Sequence, residues 1–86
     1  MTVTVPGYSS VSGKPLVIAH LLRLSAVYVE SNNLSFAEYT EAIERIAADV
    51  FETPLNVIGG TVEARAESLL REMHRAGMIE IEEETP

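Results

Sequence analysis

The first residues alternate with a period of two. Thr2, Val3, Thr4 and Val5 are all β-branched, the two valines fall on one side, and Pro6-Gly7 stops the run, which predicts a short strand. Ser9, Ser10, Ser12 and Gly13 then read as a polar linker, so residues 1–13 are taken as an N-terminal strand and linker. Pro15 suits the first position of a helix, where its missing N–H would have no partner anyway. From Leu16 the pattern becomes helical and is expected to run to about Glu30, with polar groups only at His20, Arg23, Ser25 and Glu30. Most of the circumference of this first helix is apolar, which demands cover on several sides.

Ser31-Asn32-Asn33 breaks the pattern, and Ser35 with Glu38 three residues later has the form of a capping box. Phe36, Tyr39, Ile43, Ile46 and Val50 recur at steps of three and four, which predicts a second, amphipathic helix to about Phe51. On its polar side Glu41 precedes Arg45 by four residues, the spacing of a surface ion pair. Pro54 and Gly59-Gly60 bracket an irregular connection whose Leu55, Val57 and Ile58 are too apolar to be left in water. Thr61 can cap a third helix over 62–76, with Val62, Ala66, Leu69, Leu70 and Met73 as its apolar line and Gly77 as its left-handed stop. Met78 to Glu82 alternates again with Ile79 and Ile81 on one side. A lone strand is unstable, so 2–5 and 78–82 are expected to pair. The result is a mainly α, α+β fold of three helices with a small two-stranded sheet in one domain, residues 1–86, ending in an acidic tail at 83–86 that is expected to fray.

Eighty-six residues, 47% of them hydrophobic, suffice for one core and leave no room for a second domain. With no cysteine there are no disulfides, thiolate nucleophiles or zinc–thiolate sites, which fits a cytoplasmic setting. Leu16 to Val29 is too short and too interrupted to span a bilayer, and Met1 to Gly13 lacks a signal peptide's basic start and apolar centre. Six basic against thirteen acidic side chains, a net charge of −7, disfavour non-specific nucleic-acid binding while leaving room for a local basic face.

The stretch from Thr61 to Ile81, a capped helix with Leu69, Leu70 and Met73 followed by Arg75-Ala76-Gly77-Met78-Ile79-Glu80-Ile81, resembles the recognition helix and first wing strand of winged helix-turn-helix domains. The resemblance covers at most residues 16–82, and the 2–5 strand would have to stand in for a second wing strand. It implies a third helix that enters the DNA major groove, with Arg65, Arg71, His74 and Arg75 as its contacts. Glu63, Glu67 and Glu72 are interleaved with those basic residues, and Glu67 lies four residues before Arg71, so a solvated helix face is the plainer reading.

Other constellations carry less. His20 and His74 stand alone, without a second ligand at three- or four-residue spacing. Gly59-Gly60-Thr61 reads as a turn and cap, and Gly13-Lys14 lacks the upstream glycine of a phosphate loop. No serine sits in a nucleophile elbow, so no enzyme, metal or small-molecule cofactor is expected. Glu80, Glu82, Glu83 and Glu84 form a solvated charge run. The function expected first is a small, acidic, non-enzymatic regulatory module that acts through protein–protein contacts, and a winged-helix DNA-binding regulator is the alternative. No membrane partner is expected. Because the first helix has more apolar surface than two single stripes can cover, a homodimer or a protein partner is expected there, through Leu21, Leu24 and Tyr28. Val57 and Ile58 are the rival cover.

Overall fold

A computed structural model describes residues 1–83. The elements run β1 (Thr2–Thr4), β2 (Ser10–Ser12), α1 (Pro15–Leu24), α2 (Phe36–Asp49), α3 (Val62–Arg75) and β3 (Glu80–Glu82). The three strands form one antiparallel sheet in the order β2-β1-β3. β1 pairs with β3 as the two alternating runs require, Val3 opposite Ile81.

The sheet has a third strand that the polarity of Ser9–Gly13 concealed. Residues 1–13 are not a strand and linker but a hairpin, with Val3 opposite Val11. Pro6 and Gly7, whose φ is +86°, occupy the two central positions of a tight turn closed by Tyr8 N–H donating to the Val5 carbonyl at 2.9 Å. Serine fits β2 because Ser10 and Ser12 face outward, where their hydroxyls pair with those of Thr4 and Thr2 at 2.7 and 2.8 Å. The inward residues Val3, Val11 and Ile81 pack on the core with Ile18, Leu22, Tyr39, Ile43, Leu69, Leu70 and Met73.

α2 and α3 begin at the expected caps. Ser35 Oγ accepts from Glu38 N–H at 3.1 Å while Glu38 Oε1 accepts from Ser35 N–H at 2.9 Å, and Thr61 Oγ1 accepts from Ala64 N–H at 3.1 Å. Glu41 and Arg45 make no ion pair with each other.

α1 ends at Leu24, six residues short of the expected Glu30. It closes in a Schellman motif, with Ala26 N–H on the Arg23 carbonyl and Val27 N–H on the Leu22 carbonyl, both at 3.0 Å, and Ala26 left-handed at φ +51°. α3 closes identically at Gly77, φ +83°. Breaking α1 lets Val27 enter the core, where only 2% of it stays exposed and its carbonyl accepts from the buried Tyr39 hydroxyl at 3.0 Å. A continued helix would have carried Val27 round to the flank.

Candidate functional site

The four basic candidates on α3 do not form a free cationic face. Arg71 Nε donates to Glu67 Oε2 at 3.1 Å, and its Nη2 donates to Glu83, so the first residue of the expected frayed tail is tied down; Glu84 to Pro86 lie outside the described residues. Arg75 grips Glu72 with two nitrogens, at 3.0 and 2.8 Å, and donates to the Pro54 carbonyl at 2.8 Å. That grip, with the Asn56 N–H donating to the same carboxylate, holds Glu72 below the usual carboxylate range. His74 Nδ1 lies 3.1 Å from the Ile79 carbonyl and donates to it. Arg65 alone is exposed and without a side-chain partner among the described residues.

The 54–60 connection runs as a strap along the same helix. Ile58 N–H donates to Ser68 Oγ at 3.0 Å and Asn56 N–H to Glu72 Oε1 at 2.8 Å, while Gly59 lies against the backbone of Ala64 and Arg65. A Cβ on Gly59 would stand 2.8 Å from Arg65 N, closer than atoms tolerate, so only glycine lets the strap lie this close. Leu55 and Val57 pack on the core, but Ile58 points to solvent. The strap therefore covers part of α3 and occupies Ser68, Glu72 and Arg75, the last of them one of the candidate groove contacts.

The first helix presents a different surface. Ile18, Ala19 and Leu22 are buried, with α3 as the principal neighbour of α1, whereas Val17, Leu21 and Leu24 on the opposite side are 51%, 40% and 52% exposed. Positions i, i+4 and i+7 align these three in one stripe about 10 Å long. Tyr8, 60% exposed at the hairpin turn, stands beside Leu21 around a shallow depression lined also by Val11, Ser25 and Val27. Tyr8 escaped the sequence reading because the hairpin that carries it did; its signal was a lone aromatic after Pro-Gly in a serine-rich run.

Of the three interface candidates, Leu21 and Leu24 lie on this stripe. Tyr28 does not. Its hydroxyl donates to the Met78 carbonyl and its ring meets Phe51 edge-on at 5.8 Å, so it ties the end of α1 to the turn after α3. The other polar groups of α1 also face away from the stripe. Arg23 Nη1 donates to the Leu34 carbonyl at 2.8 Å, and the His20 ring tilts against Phe36 at 6.2 Å. Among the described residues no three His, Asp or Glu side chains gather as a metal site. No described helix is long and apolar enough to cross a membrane.

No family model, curated protein or solved structure matches the chain.

Proposed function

We propose that this chain is a non-enzymatic module that acts through protein–protein contacts made by the outer face of α1. The observation that carries this reading is the stripe of Val17, Leu21 and Leu24, with Tyr8 beside it, on a face that no other element covers among the described residues. Scattered exposed apolar side chains are ordinary, but a contiguous row is costly to leave solvated and typically marks an interface.

The pairing of β1 with β3 supports a second reading, a DNA-binding regulator of winged-helix type using 62–76. It is the weaker of the two. Three of its four contact candidates are spent on Glu67, Glu83, Glu72 and backbone carbonyls, the strap lies along the helix, and the net charge is −7.

A photo-activatable side chain at position 21, with position 41 on α2 as control, tests the choice in cells that make the protein. A discrete protein adduct from 21, absent from 41 and lost on Leu24→Glu, supports the protein-contact reading. No protein adduct from 21, together with duplex binding at low salt that weakens on Arg65→Ala, overturns it in favour of DNA.

A further inference from the structure

The charges of this chain are divided along its length. Residues 1–29 contain Lys14, His20 and Arg23 and no acidic side chain, whereas residues 30–86 contain all thirteen acidic side chains and the other four basic ones. The two parts carry +2 and −9, which together give −7. The hairpin and α1 are therefore free of carboxylates, and they are the elements that build the apolar face. Four of the seven exposed large hydrophobic side chains, Tyr8, Val17, Leu21 and Leu24, fall there, while Val50, Ile58 and Val62 stand at the end of α2, in the strap and at the start of α3.

We infer that this face is the contact between two copies of the chain, joined about a two-fold axis through Leu21 with the two α1 helices antiparallel. The inference rests on the reading of α1 as a docking face and names its occupant. Two bodies of charge −7 repel each other, and least when they meet through the hairpin and α1, the elements that carry no carboxylate of their own. The stripe suits a two-fold axis, because it is close to symmetric about its middle residue. Turning one helix end for end sets Leu21 against its own copy and Val17 against Leu24 on either side. Antiparallel helices also bring Lys14, at the start of one α1, toward the carbonyls that end the other, where a cation is favourable. Glu63 and Glu67 share a groove with Lys14 and Val17, so the nearest acidic groups border the face beside its one exposed cation.

Sedimentation equilibrium of the full chain, from about 5 to about 500 µM, tests the inference. The expected mass rises to twice 9.4 kDa, stays at 9.4 kDa in Leu24→Glu, and is unaffected by Val50→Glu, a more exposed apolar control. Circular dichroism of the variants checks that each is folded, and Leu24→Lys, which places the opposite charge at the same spot, is expected to behave as Leu24→Glu does. Salt gives a second sign. Raising it from about 20 to about 500 mM should tighten the dimer roughly tenfold, since screening the repulsion between two bodies of charge −7 outweighs the weakening of the Lys14 contact with the partner's helix end. A mass of 9.4 kDa throughout the range overturns self-association, and an adduct from position 21 to a different protein would then still uphold the docking reading. A dimer that survives both Leu24 substitutions, or that weakens with salt, overturns the assigned face.

Discussion

Ala26 and Gly77 hold the same place in the same motif, the left-handed residue that closes a helix, yet only one of them is suited to it. A left-handed non-glycine residue costs about 1–2 kcal/mol, more than the roughly 0.5 kcal/mol of unfolded-state entropy that a glycine adds. Ala26→Gly is therefore expected to stabilise the protein by about 0.5–1 kcal/mol, and Gly77→Ala to destabilise it by about 1 kcal/mol, both read by urea unfolding. Gly59→Ala should cost about 2 kcal/mol or more, because the added Cβ meets the α3 backbone, which cannot yield as a flexible side chain would. Tyr39 is wholly buried, and burial, with Tyr28 nearby, pushes its hydroxyl far above the ordinary value of 10.0. A group raised on folding stabilises fully below its unfolded value and loses that contribution as pH rises beyond it. Stability should thus fall above about pH 10, and Tyr39→Phe should flatten that fall while costing roughly 1–2 kcal/mol at neutral pH for the Val27 carbonyl left without its donor.

The second and third helices were legible in the sequence because each carries its own punctuation: Ser35 and Glu38 before α2, Thr61 before α3 and Gly77 after it. Ser35→Ala should cost about 1 kcal/mol in thermal or urea unfolding. Glu38 is held below its ordinary value of 4.5 by the Ser35 N–H and then by the Ser35 hydroxyl, and Glu72 by Arg75 and then Asn56. Groups lowered on folding stabilise above the unfolded value, so stability should decline as pH drops below about 4.5. The end of α1 was illegible since its stop residue is an alanine, a good helix former that yields only because Val27 and Tyr28 find better burial off the helix. The strand pairing of β1 with β3 could be read from two alternating runs, whereas β2 could not: three of the residues around it are serines, whose strand character comes from hydroxyl pairs with Thr2 and Thr4 that no local pattern announces. The exposed row on α1 was half legible. Its leucines stood out by number, but their division into core, flank and open stripe depends on where α3 and the hairpin lie.

In the whole molecule residues 30–86 carry all the acid, and the first 29 residues build the open apolar face of α1 and the hairpin. α2, α3 and β3 hold nine of the thirteen carboxylates, and Arg71 and Arg75 are spent on Glu67, Glu83 and Glu72, while the hairpin and α1 carry no acid and leave one face of α1 open. The proposed two-fold contact would join the acid-free elements and turn most of the acidic side chains of an 86-residue chain outward on both copies. Because the protein has no cysteine, the axis can be located with one atom. In Leu21→Cys the two sulfurs should meet across the axis and, under mild oxidation at low concentration, link most of the chain into a covalent dimer, while Val50→Cys stays monomeric. Equal, slow cross-linking of both variants would contradict a contact centred on Leu21.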